Sequence, residues 1–234
     1  FKPFRDKQRA ADYGRNLAPD AERTPFVSVL SIVPSPSGDM LAAVVGNRKD
    51  LELDIVLLSA YDGQLVRNLT SGFDQKRGFE YIGTAGGLRG NLVPWIAWAP
   101  VGDRVAYFGR AGKGKALLLH NVVTGNIDSR FALDTVDSPE SPTFSPDGRY
   151  VAFAAIAGGV TDIYVLDTTS GALRNVTDDA TADYAPTYAP DGASIVYTAR
   201  VGGNDKLFRL TLATGAREQL TFGAHDDTAA TFAD

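Results

Sequence analysis

Few residues of this chain combine a reactive type with a setting that could use it. Ser145 stands on a sharp turn, Ser145-Pro146-Asp147-Gly148, ahead of an apolar run, where a strained serine could act as a nucleophile. The elbow that exposes such a serine has the pattern G-x-S-x-G, and no such string occurs. Proline presets φ at the second turn position, aspartate accepts local backbone donors, and glycine takes positive φ. The turn is therefore complete without catalysis. His225 neighbours Asp226 and Asp227, residue types that could seed a metal site. Adjacent ligands in one loop need a second segment, and no partner for them can be named, so no metal is expected. His120 ends the run "ALLLH" and reads as a partly buried strand end. The glycine-rich stretches 83–90 and 109–115 lack the G-K-[ST] ending of a phosphate loop and read as loops. There is no cysteine, which excludes thiol nucleophiles, disulfides and cysteine zinc sites. No catalytic residue and no cofactor is expected.

The elements that hold these residues follow from a repeat. Ser145-Pro146-Asp147-Gly148 returns as Ala189-Pro190-Asp191-Gly192, and more weakly as Ala99-Pro100-Val101-Gly102 and Ser35-Pro36-Ser37-Gly38, with prolines 64, 46 and 44 residues apart. Ser145 is thus replaced by alanine in two copies, as a position carrying turn geometry allows. Gly158-Gly159 and Gly202-Gly203 fall 12 residues after their prolines; Gly125, Gly171 and Gly215 fall 25 after theirs. Leu69-Thr70, Val176-Thr177 and Leu220-Thr221 close three copies. Between these landmarks lie four strand-like runs per copy: a short one ending at the turn, two almost wholly apolar, and a more polar fourth. Apolar runs read as strands covered on both faces, and the half-polar run as an edge. A period of 40–50 residues with four strands describes the blades of a β-propeller. The expected fold is all-β: four-stranded antiparallel blades, four full ones (about 25–70, 94–135, 138–178 and 182–222), then the start of a fifth (225–234), in an incomplete ring with exposed edges at 26–33 and 231–232. Residues 1–24 read as a linker or the edge of a preceding unit.

The Ser-Pro-Asp-Gly turns, "DIYVLD" strands and closing Leu-Thr pairs resemble the repeats of TolB-like proteins, the WD-like propellers of the bacterial periplasm that also occur in prolyl-oligopeptidase-type and tricorn-type proteases. The likeness covers about residues 25–234. Copy two departs from the pattern, with Val101 in place of the turn aspartate. The wording of "IAWAPVGDRVAYFGR" and "LTFGAHDDTAATF" is also similar to envelope proteins that join such a propeller to a metallopeptidase-like domain, whose H-E-x-x-H helix this chain lacks. The resemblance implies a periplasmic or envelope location, although the chain carries no targeting signal, and further blades or domains of a parent chain as neighbours. It implies a non-catalytic scaffold that binds a protein or peptide, or the gating propeller of a hydrolase whose catalytic domain lies elsewhere.

Binding is then a matter of position. The segment leading into each innermost strand lines a mouth of the central channel. By register Glu140, Tyr184 and Thr228 are equivalent, as are Pro139, Asp183 and Asp227. Glu140, Asp183, Tyr184, Asp227, His225 and Asp226 are the expected rim, an acidic one suited to cations or basic peptide segments. The second candidate is the insert 71–93, with Phe73, Arg77, Phe79, Tyr81 and Arg89, because long loops on rigid scaffolds bind and aromatics with arginine suit protein contacts. A net charge of -5 and only short basic clusters speak against nucleic acid. No apolar run is long enough to span a membrane.

Overall fold

The computed structural model describes residues 26–47, 53–70, 79–81, 96–111 and 114–232. These residues form seventeen strands and no helix. β1 (Phe26–Pro34), β2 (Met40–Asn47), β3 (Leu53–Ser59) and β4 (Leu65–Asn68) make the first blade. The second has β7 (Arg104–Ala111), β8 (Gly114–Asn121) and β9 (Ile127–Ala132), and its inner position is shared by β5 (Phe79–Tyr81) and β6 (Ile96–Trp98), both paired to β7. The third is β10 (Asp137–Phe144), β11 (Tyr150–Ala157), β12 (Val160–Asp167) and β13 (Leu173–Asn175). The fourth is β14 (Asp183–Tyr188), β15 (Ser194–Val201), β16 (Asn204–Thr211) and β17 (Arg217–Gln219). All pairings are antiparallel between consecutive strands, apart from the doubled inner position of the second blade.

The apolar runs become middle strands because a neighbouring blade covers each face. Ala42, Val44, Ile55 and Leu57 of the first blade pack with Val105, Tyr107 and Leu118 of the second. Phe108, Leu117 and Leu119 meet Val151, Phe153 and Leu166 of the third. Ala152, Ile163 and Val165 meet Ile195, Tyr197 and Leu210 of the fourth. Among the described residues no such cluster joins the fourth blade to the first, so the blades form an open row. Phe153 is fully buried between Phe108, edge-on at 5.3 Å, and Tyr164, stacked at 6.1 Å. Sequestering a ring of that size contributes about 2–3 kcal/mol.

The inner strands are longer than Thr143-Phe144 and Thr187-Tyr188 suggest, because their lead-ins also pair. The fourth strands β13 and β17 are shorter and stop before the closing threonine. That threonine turns inward. The Thr70, Thr177 and Thr221 hydroxyls accept the backbone N–H groups of Ile55, Ile163 and Leu207 at 2.9, 2.9 and 3.0 Å, donors at the start of the third strand that the short fourth strand leaves unpaired. The expected opening strand of a fifth blade is irregular: residues 223–232 run along the fourth blade without ladder pairing. Thr187 Oγ1 donates to the Ala230 carbonyl at 2.9 Å, and the Ala229 N–H reaches Thr198 Oγ1 at 3.3 Å. Exposed apolar side chains on the two outer elements, Val29 and Ile32 at one end and Phe232 at the other, agree with the open edges expected there. Residues 1–24 lie outside the described residues.

Candidate functional site

The Ser145 turn is tied down by its own hydroxyl. Ser145 is 3% exposed; its Oγ donates to Asp147 Oδ1 at 2.5 Å and accepts the Tyr150 N–H at 2.9 Å. The Gly148 N–H closes the turn on the Ser145 carbonyl at 2.8 Å, and Ala189 and Gly192 repeat that bond at 2.9 Å. Ser35 copies the side-chain arrangement with Asp39 and Met40.

The lead-ins share a backbone device. Ser141, Ala185 and Ala229, 44 residues apart, all have positive φ, at 51°, 50° and 54°. In β10 and β14 this is a bulge: the register slips between Glu140 and Thr143 and between Tyr184 and Thr187. Bulges re-aim side chains beside the slip. Ser141 and Ala185 each precede a proline, which cannot donate to a ladder, so the interruption is written into the pairs Ser141-Pro142 and Ala185-Pro186. Glu140 opposite Ala154 and Tyr184 opposite Thr198 occupy equivalent places just before the bulge.

The residues expected at the rim have different surroundings. Glu140 is half-buried, and desolvation pushes its carboxyl above the usual range. Tyr184 is half-buried; burial first, then the neighbouring Asp205 carboxylate, raises its hydroxyl pKa. Asp183 is 1% exposed, and neither carboxylate oxygen has a hydrogen-bond partner among the described residues. Burial pushes its pKa up to about 7. Asp227 pairs with buried Lys206 at 2.8 Å, and Lys206 also donates to the His225 carbonyl. That ammonium holds the Asp227 carboxyl below its usual value. Asp226 accepts from the Asp205 N–H at 3.0 Å and from Asn204 Nδ2 at 3.2 Å, and is held low by the same bonds. Asp226 and Asp227 thus fasten their own loop to β16, and His225 is exposed. Among the described residues no three histidine, aspartate or glutamate side chains are grouped to hold a metal. His120 is more buried than its strand-end position suggests, at 1% exposure, with Nδ1 3.0 Å from the Tyr107 hydroxyl.

Of the insert, Phe73, Arg77 and Arg89 lie outside the described residues. Phe79 and Tyr81 belong to β5, with Tyr81 opposite Gly109; the chain resumes with Ile96 opposite Tyr107. It therefore leaves and rejoins β7 two residues apart, at about the level where the third and fourth blades bulge. Sequence reading placed the insert between blades; the pairing of β5 makes it an interruption of an inner strand.

Sheets of antiparallel strands, four deep and stacked face to face, define a β-propeller. The chain belongs to the TolB beta propeller domain family, whose model matches residues 91–234. It is 36% identical over 77 residues to the Tol-Pal system protein TolB of Syntrophus aciditrophicus, a stretch that is 31% of this chain and 17% of that protein. Among solved structures it is similar to the putative TolB from Agrobacterium tumefaciens, with a TM-score of 0.64 and 18% identity over 84% of this chain and 66% of that one. It is also similar to a prolyl endopeptidase, with a TM-score of 0.59 and 14% identity over 92% of this chain and 32% of that one. The chain spans under two thirds of the length of each of these relatives.

Proposed function

We propose that this chain is a non-catalytic propeller scaffold of the bacterial cell envelope that binds a protein or peptide at the inner-strand mouth. The observation that supports it most is the interrupted inner strand of the second blade. A 14-residue excursion, 82–95, departs from and returns to neighbouring points of β7, on the level of the bulges beside Glu140 and Tyr184. A rigid sheet thereby anchors both flanks of the insert, Tyr81 and Ile96, on the level of half-buried polar side chains, and long inserts on rigid scaffolds often bind. The similarity to a Tol-Pal system protein supports an envelope partner. Likeness to a prolyl endopeptidase supports the second reading, an accessory propeller attached to a hydrolase.

Photo-crosslinking groups placed at Tyr81 and at Glu140, in the full-length protein in cells, test the first reading. The same partner captured from both positions is the expected result. Different partners, or none at either, would overturn it. Peptidase activity lost on separating the propeller from the rest of its parent chain would favour the second.

A further inference from the structure

The junction between the third and fourth blades breaks a charge pattern that the next junction keeps. Asp227, leading in beyond the fourth blade, faces Lys206 near the start of β16. One repeat earlier the corresponding residues are Asp183 and Asp162, two acids. Asp162 is buried and its oxygens are occupied: Asn175 Nδ2 donates to Oδ2 at 2.9 Å and Thr177 Oγ1 to Oδ1 at 3.2 Å. The Thr177 hydroxyl also lies beside Asp183, but its one proton is committed to Asp162. Asp179, in the connection from β13 to β14, adds a further acid; Arg217 of β17 faces the group but is paired to Asp179. Tyr197 of β15 completes the surroundings as a neutral, buried phenol. Asp183 is left 1% exposed with both oxygens unpartnered among the described residues.

We propose that the third and fourth blades are joined by a proton-operated latch: Asp183 holds the junction closed as a neutral carboxylic acid and loosens it on releasing its proton to water. An acid has the proton that this site lacks and can donate it to Asp162 or Thr177. A carboxylate adds a second buried negative charge against Asp162 and Asp179 with no donor to compensate it. The pH window follows from the direction of the shift. The folded value is raised to about 7 from 3.8. The protonated group therefore favours the folded junction fully below about 3.8, and the advantage fades as pH rises through about 7.

The test is a carboxyl-carbon NMR titration of the full chain with labelled aspartate, paired with hydrogen exchange corrected for intrinsic rates. Asp183 is expected to titrate near pH 7. The amides of 175–188 are expected to lose protection progressively between about pH 4 and pH 7 and to level off above that midpoint, with about a ten-fold loss for each unit by which the folded value exceeds the unfolded one. Asp183→Asn, neutral at every pH, keeps the protection on both sides. Should that variant not fold, Asp162→Asn removes the facing charge and lowers the Asp183 midpoint. An Asp183 midpoint in the ordinary carboxylate range overturns the proposal, as do equal protection on the two sides or a midpoint indifferent to Asp162→Asn.

Discussion

The closing threonine shows how one hydroxyl carries a blade. Thr177 is 2% exposed, accepts the Ile163 N–H and donates to Asp162. Thr70 does the same with Ile55 and Asp54, also at 2% exposure. Valine has the same shape and neither function, so Thr177→Val leaves a buried N–H and a buried carboxylate oxygen without partners. The expected cost is about 1–3 kcal/mol, read from the shift in urea midpoint at unchanged slope. Thr70→Val should match it. Thr221→Val should cost less, because Thr221 is half-buried and water can replace what is lost. Equal costs at all three positions would mean that the methyl packing, not the hydroxyl, is what the repeat retains.

At the level of elements, the turns lean on one another. Val101, where copy two departs from aspartate, lies against the next turn: a Cβ on Gly148 would come within 2.6 Å of Val101 Cγ2. One blade on, Pro146 Cδ would be 3.4 Å from a Cβ on Gly192. Asp147 and Asp191 of the third and fourth turns accept the Arg149 and Ala193 N–H groups at 3.0 and 2.8 Å; in copy two that role is given up, and the side chain packs across to the third blade instead. Gly148→Ala therefore meets both positive φ and a clash, whereas Gly158→Ala, at φ +61° with open space around it, meets only the first. Both should destabilise by about 1 kcal/mol for the backbone. Gly148→Ala should cost measurably more, and Val101→Ala in the same chain should remove the difference; a difference that survives Val101→Ala would place its cause elsewhere. The turns, the glycine landmarks and the apolar middle strands were legible because turn chemistry and burial on both faces each have a residue signature. The bulges at Ser141 and Ala185 were marked only by the proline that follows each, and the matching positive φ at Ala229 not at all, since positive φ there falls on serine and alanine rather than glycine. Nor was the facing of Asp162 by Asp183 or of Lys206 by Asp227, because those residues stand 21 apart and meet only once the following lead-in packs against the blade. The rim positions Glu140 and Tyr184 were legible as equivalent by counting in 44s, but their different burial depends on neighbours that counting does not supply.

For the whole molecule, an open row of blades makes stability a sum of blades and the interfaces between them, as in other repeat arrays. Each interface here has its own apolar cluster, and the one between the second and third blades centres on Phe153. Phe153→Ala removes the ring that touches both Phe108 and Tyr164, at a cost of about 3–5 kcal/mol. How that loss is distributed tells whether the row behaves as one cooperative unit. With Trp95→Phe in both chains compared, Trp98 alone reports the first two blades, since its Nε1 donates to the Val33 carbonyl at 2.9 Å across their interface. Far-ultraviolet circular dichroism reports all four. In the parent protein the interfaces couple the blades, and the two signals should change together in urea. In Phe153→Ala the weakened central interface should let the third and fourth blades unfold first. The dichroism would then begin to fall at lower urea than the tryptophan signal, and the two midpoints would separate. If both signals move down together and stay coincident, the blades share one folding transition, and the nearest-neighbour description fails for this propeller.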